Sequence, residues 1–457
     1  MIAAKMPPGI SRNYASSCNA CRQCTPLGAC LAFKGVEGAV PFLHGSQGCA
    51  TYIRRYLISH FREPMDIASS SFSEEAAIFG GERNFLLGIE NVMRQYRPRV
   101  VGIATTCLSE TIGDDVPGFL RLLHERVKDQ KDVPRFVHVS TPSYTGSHID
   151  GFHETVRALV ASAPGSVSLN DRVGVFPGMV SPEDLRFLRD VFGDFGLKPV
   201  LVPDYSDTLD GPAWENYHEM APGGTTLAEI DQLPGAMAAV DFTRCVPAKH
   251  LAGAHLHQAH GVFSSRLAPP VGIAATDAWM KWMGDVSGRD LPDRHTRERG
   301  RLVDALVDGH KYLSGVRVAV YGEPDFALSL AVLCSEFGMK VTLLAAGGAA
   351  ADFPVVAQEA LPSRDLPRIL NGADFRDIEN AVEANPPDLL LGHSKGYAMA
   401  RRLGIPLVRA GFPIHDRFGG QRMLHLGYAG AQRLLDLLIN TLLDHRQTES
   451  PVGWSYL

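Results

Sequence analysis

Residues 24–49 read CTPLGACLAFKGVEGAVPFLHGSQGC, and this stretch decides how the rest of the chain is understood. Leu27 to Phe33 is predicted as a short apolar helix and Val36 to Phe42 as a compact hydrophobic strand. The strand delivers the loop His44-Gly45-Ser46-Gln47-Gly48-Cys49 at its carboxyl end, where open α/β sheets place their ligands. Cysteines set beside glycine, proline or small hydroxyl residues let backbone and thiolate come close to a bulky inorganic group. A helical spacing follows in ATYIRRYLISHF, and Pro64 closes it.

The same strand-to-loop pattern recurs. GIATTCLSE predicts a buried strand over Val100 to Ala104 that ends in Thr105-Thr106-Cys107. Helices are predicted over Glu74 to Phe79 and Asn84 to Tyr96 before it. The strand Arg135 to Val139 leads into TPSYTGSHIDG, and RVGVFPGMVS begins another at Arg172. Further strands are predicted at Lys198 to Val202, Ala238 to Asp241, Val316 to Tyr321, Lys340 to Leu344, Asp388 to Leu391 and Pro406 to Arg409. Helical patterns lie between them, as at Pro182 to Phe192, Asp325 to Phe337 and Gly430 to Asp444.

This alternation argues for an α/β fold of mostly parallel sheets flanked by helices. Breaks near Pro164-Gly165 and Asp290-Leu291-Pro292 divide it into three units. Residues 1–164 form the N-terminal α/β domain with the clustered cysteines, 165–291 a second α/β domain, and 292–457 a third that ends in helices. Up to Asn13 the chain is predicted to be an extended arm, with Pro7, Pro8 and Gly9 opposing regular structure.

A length of 457 residues calls for two to three hydrophobic cores. With 45% hydrophobic and 21% charged residues, the composition fits a soluble globular protein and neither a disordered nor a membrane one. A net charge of -6 leaves no cation excess for a phosphate backbone, which argues against nucleic acid as a partner. The opening MIAAKMPPGISRNYASS lacks the apolar core of a secretory signal, and no run of about 18 apolar residues predicts a membrane span. The expected location is cytoplasmic. Eight cysteines, at 18, 21, 24, 30, 49, 107, 245 and 334, are too uneven for a disulfide framework, and in a reducing compartment their crowding points to metal.

Two readings of the cysteines stay open on spacing. Cys18-x2-Cys21-x2-Cys24 with Cys30 beyond approaches the ferredoxin signature, but Pro26 follows Cys24 and Cys30 lies on an apolar helix, where a buried free thiol fits better. The other reading takes one cysteine from each of three loops, Cys24, Cys49 and Cys107. A fold that brings these loops together would offer soft thiolate donors for an iron-sulfur cluster, left under-ligated unless a second chain supplies more. Three unrelated structural cysteines are the alternative.

GACLAFKGVEGAVPFLHGSQGC, SHFREP, EEAAIFGG, TTCLSETIGDD, TPSYTGSH, TDAWM, RERGRLVDAL, GEPDF and GFPIHDRF, in this order from about Cys24 to Gly430, resemble the β-subunit branch of nitrogenase component 1. That branch includes cofactor-assembly scaffolds and nitrogenase-like reductases such as methylthio-alkane reductase. The resemblance implies three Rossmann-like domains and an α2β2 heterotetramer with a homologous α-like subunit. It also implies a P-cluster (8Fe-7S) shared with that subunit, with Cys24, Cys49 and Cys107 as this chain's ligands and Ser143 as a redox-dependent one. No catalytic residue is expected here, because the nitrogenase-type iron-sulfur cofactor would reside in the partner. Electrons would come from an ATP-dependent iron protein, and consistently no G-x4-G-K-[ST] loop is present.

Arg62, Glu63 and Asp277 match positions around an inter-β metal ion, with an ordinary ion pair as the plainer account. The short segment before Cys24 argues against a molybdenum β-subunit, and three retained cysteines argue against a scaffold. CNACRQC and CATYIRRYLISHFREP are similar to the reductases that cleave carbon-sulfur bonds in small thioethers, a group in which Cys21 could displace Cys24 as ligand. A dinitrogen-reducing subunit and an assembly scaffold are the alternatives.

Overall fold

A computed structural model describes residues 20–165, 167–363 and 366–452. The N-terminal arm and Cys18 lie outside the described residues.

Three separate parallel sheets carry the fold. The first has the order β2-β1-β3-β4, from β1 (Ala39–His44), β2 (Ala68–Ser69), β3 (Val100–Thr105) and β4 (Arg135–Val139). The second runs β6-β5-β7-β8, from β5 (Arg172–Phe176), β6 (Lys198–Leu201), β7 (Ala238–Phe242) and β8 (Ser264–Leu267). The third runs β11-β10-β9-β12-β13, from β9 (Arg317–Gly322), β10 (Lys340–Ala346), β11 (Arg368–Asn371), β12 (Leu389–Gly392) and β13 (Leu407–Arg409). Every strand pair is parallel, and the helices that connect parallel strands cover the sheet faces.

The central strands coincide with the apolar runs of the sequence: β1 and β3 are buried at every residue. The strands that sequence reasoning missed, β2, β8 and β11, all sit on sheet edges. SSRL and RILN are only partly buried there and carry no apolar run to announce them.

Seven helices surround the first sheet: α1 (Thr25–Lys34), α2 (Gln47–Phe61), α3 (Glu74–Phe79), α4 (Glu82–Tyr96), α5 (Cys107–Ile112), α6 (Val116–Val127) and α7 (His148–Ala161). All ten residues of α1 are buried, and it lies along α7. Two glycines permit this approach. A Cβ on Gly28 would fall 1.7 Å from the His148 carbonyl oxygen, and one on Gly151 would fall 2.0 Å from that of Thr25. Ring faces of Phe33 fill the space beside Gly102 of β3, which ties α1 to the sheet.

The parts of the chain that carry the first and third sheets meet at His60, near the end of α2. Its Nδ1 accepts the Ile414 N–H at 2.9 Å, and the ring stands edge-on to Phe412 at 4.9 Å. Complete burial lowers its pKa to about 3, so the imidazole is neutral. The long helix Gly427–Glu449 packs on Asp293–Leu313 and on Ile273–Ser287, where Trp279 and Trp282 are buried. Among the described residues, no helix is long and apolar enough to cross a membrane.

Two tests follow from this packing. Gly28→Ala forces a methyl into the α1–α7 contact and is expected to destabilise the chain by at least about 1–3 kcal/mol in chemical denaturation; an unchanged midpoint would refute the close-contact account. His60 is depressed in the folded state from about 6.5, so its contribution is present above pH 6.5 and lost as pH falls toward 3. At pH 5 that amounts to about 2 kcal/mol. His60→Gln, which keeps an acceptor for Ile414, should flatten this part of a stability profile measured between pH 7 and 5.

Candidate metal centre

Each of the three cysteines stands at the start of a helix. Cys24 is the N-cap of α1 and has extended backbone, φ -63 and ψ 143, with Pro26 in the first turn. Cys49 lies in the first turn of α2, whose N-cap Ser46 accepts the Gly48 N–H at 3.1 Å. Cys107 is the first residue of α5, where the Thr106 N–H donates to Ser109 Oγ at 3.0 Å in a capping box.

The sheet brings these starts together. β1 and β3 are neighbours in register from Ala39 opposite Val100 to His44 opposite Thr105, so the loops to Cys49 and Cys107 leave side by side. Thr106 locks the two loops, its hydroxyl donating to the His44 carbonyl at 3.1 Å. β4, next to β3, ends at the loop holding Ser143. Ser143 then joins two cysteine loops: its N–H donates to Cys107 Sγ at 3.2 Å, and its Oγ accepts the Thr25 N–H at 3.1 Å.

Cys49 is half-buried, while Cys24 and Cys107 are exposed. The Cys49 thiol is pushed up first by burial and then by negative charge on Cys24 and Cys107, which puts all three sulfurs in one electrostatic neighbourhood. Clustered thiolates raise one another's acidity cost, and a cationic metal group removes it. Among the described residues, no three His, Cys, Asp or Glu side chains close on a single metal ion, these thiols included. Open, soft and spread over one surface, the donor set fits one side of a polynuclear cluster. Exposed apolar side chains adjoin it, with Tyr52, Leu108 and Tyr144 being 45%, 37% and 60% exposed.

Cys21 does not join this group. It is buried, with Sγ 3.3 Å from His393 Nε2 of the third domain, so the expectation that it could displace Cys24 meets a thiol turned inward. Cys30 is fully buried on α1, as a packing thiol should be. Asp114 and Asp115 divide their work: Asp115 caps α6, accepting the Gly118 N–H at 2.9 Å, while Asp114 lies 2.8 Å from Nε2 of buried His44. His44 therefore bonds to a carboxylate and to Ser70 Oγ rather than to backbone as a loop histidine would.

Arg62, Glu63 and Asp277 do not converge within the chain. Arg62 closes α2 in a left-handed conformation and donates to the His415 carbonyl at 3.1 Å. The Glu63 carboxyl is raised by burial and by the charge of Asp210. Asp277 is satisfied by Arg299, Nε to Oδ1 at 2.9 Å and Nη2 to Oδ2 at 2.9 Å, and by the Tyr428 hydroxyl at 2.6 Å. An ion pair thus accounts for it.

Behind the cysteines, where the three sheets' helices meet, the cavities are small. One of about 20 Å³ is lined by Leu31, His60, Met179, Phe326 and Phe412, and one of about 30 Å³ by His153, Met179, Phe242, Glu323 and Asp325. Each is of the scale of a water molecule.

Residues 24–443 match the family model described as nitrogenase component 1 type oxidoreductase. The chain belongs to that family. It is 34% identical to a nitrogenase molybdenum-iron protein beta chain of Methanococcus maripaludis, over 92% of this chain and 93% of that one. The corresponding beta chain of Clostridium pasteurianum is 32% identical over 97% of each. The nitrogenase iron-molybdenum cofactor biosynthesis protein NifN of Bradyrhizobium diazoefficiens is 31% identical, over 94% of this chain and 90% of that one. A chain of the solved structure of nitrogenase Cp1 at pH 6.5 superposes with a TM-score of 0.92 at 30% identity, covering 99% of both. The fold and the oxidoreductase family expected from sequence are therefore in hand. One expectation is overturned: the Clostridium pasteurianum chain is matched over nearly its whole length, so a short segment before Cys24 does not separate this component 1 β-like chain from molybdenum beta chains.

Sequence reading missed His148, Glu323 and Lys395, which hold the loop of Cys24 from behind. The Gln23 N–H donates to His148 Nδ1 at 3.2 Å, His148 Nε2 meets Glu323 Oε1 at 3.2 Å, and Lys395 donates to the Ala20 carbonyl. The sequence signal for Glu323 and Lys395 is position, since each follows closely on a strand's carboxyl end, that of β9 and of β12.

Ser143→Ala removes the acceptor of the Thr25 N–H but keeps the backbone donor to Cys107. It should cost about 0.5–2 kcal/mol in thermal or chemical unfolding, as loss of a helix cap does. A variant as stable as the parent would mean that this bond does not hold α1.

Proposed function

We propose that this chain is the P-cluster-bearing β-like subunit of a nitrogenase-like reductase. Cys24, Cys49 and Cys107 would hold one side of an 8Fe-7S cluster, and a homologous α-like subunit would supply the other side in an α2β2 assembly. The single observation that carries this reading is the convergence of three thiols from three loops on one exposed face, joined through Ser143. Such a cluster, when bound, supplies one-electron transfer.

This chain's own residues orient the thiols, among which Cys49 is half-buried. Exposed Tyr52, Leu108 and Tyr144 beside them suit a covering protein surface. Electrons would be relayed from an ATP-dependent iron protein. For the substrate we favour small thioethers, cleaved reductively at carbon-sulfur bonds as in methylthio-alkane reductase, on the likeness of CNACRQC and the segment after Cys49 to that group. The second reading, a dinitrogen-reducing beta subunit, is supported by the beta-chain relatives, and a scaffold role by the NifN relative.

Iron analysis and electron paramagnetic resonance of the purified complex test the first step. Cys49→Ala and Cys107→Ala are each expected to lose most of the reducible cluster and all turnover; an iron-free parent complex would sink the reading. Assays of the same complex on dinitrogen and on a small thioether separate the substrates, and a cluster-bearing complex inert to both while releasing a cofactor precursor would favour the scaffold.

A further inference from the structure

Residues 20–24 run along the third domain before α1 begins. Ala20 pairs with Asp374 in an isolated antiparallel bridge, and the backbone of Cys21 and Arg22 lies so close to Gly347 that an added Cβ there would stand 2.8 Å from Arg22 N. The ammonium of Lys395 donates to the Ala20 carbonyl. Beside it, Cys21 and His393 are both buried, and burial pushes the thiol up and the imidazole down to about 4, so both are uncharged at neutral pH. Glu323 is engaged by His148, Asp374 accepts the N–H groups of Arg376 and Asp377, and Arg22 turns its guanidinium to the Gly146 carbonyl at 3.4 Å. Lys395 is therefore a half-buried cation that a distant domain brings behind the loop of Cys24. Burial works against its charge, and negative charge on the Cys24 sulfur supports it.

We propose that Lys395 is a positioning residue that raises the reduction potential of the group bound through Cys24, by fastening the Ala20 carbonyl and fixing a positive charge behind that loop. The inference rests on the reading of Cys24 as a cluster ligand. The step is uptake of one electron by the cluster from the iron protein; no bond forms or breaks at Lys395, and no proton moves there. An added electron makes the cluster more negative, so a fixed cation favours the reduced state. Partial burial keeps salt from screening it fully.

The test is a redox titration of the purified complex followed by electron paramagnetic resonance, with iron content measured alongside. Lys395→Met should disfavour reduction about tenfold, a downward shift of about 59 mV for one electron. Lys395→Arg, which keeps charge and donor, should stay near the parent. A Lys395→Met complex with full iron and an unchanged midpoint overturns the proposal, and so does an equal drop in Lys395→Arg. Should Lys395→Met fail to retain iron, Lys395→Gln, a donor without charge, is read by the same criterion. A parent complex without iron defeats the functional reading itself, before any variant is compared, so the two failures are distinct.

Discussion

The pairing of β1 with β3 in parallel register is the constraint on which the rest depends. With His44 set opposite Thr105, two strands end level, and the loops that leave them have no choice but to emerge together. Slippage by one residue would move every side chain of these fully buried strands to the opposite, differently packed face, which close packing resists. Thiols that are 58 residues apart in sequence, at 49 and 107, thereby become neighbours. The third thiol depends on helix packing instead, through the glycine contacts that seat α1 on α7.

Much of this was legible in the chain itself. Apolar runs such as VVGIAT and AVPFLH marked buried parallel strands because both of their faces are covered. Edge strands such as SSRL escaped because half-exposed residues leave no apolar pattern. The cysteines at 24, 49 and 107 could be picked out because strand ends and small residues surround them. The environment of Cys21 could not be read, because its partner His393 lies 372 residues away and nothing local encodes the contact. Asp277 in TDAWM reads most plainly as half of an ion pair, while the identity of its partners, Arg299 and Tyr428, is a tertiary fact.

Division of labour among the three sheets and their surroundings follows. The first sheet presents the thiols, and the third domain grips the loop behind Cys24 through Ala20, Cys21 and Gln23's partner His148, itself braced by Glu323. Neutral, buried histidines line this contact: His60 and His393 both lose the charged form to burial.

Two of the three sulfurs are open to solvent when the chain stands alone. Uncovered thiols are where peroxide and other oxidants strike first, and beyond the sulfenic stage the damage is permanent. Under the proposed function, a copy made without its α-like partner would thus age chemically while it waited, which favours making both together and loading the cluster promptly.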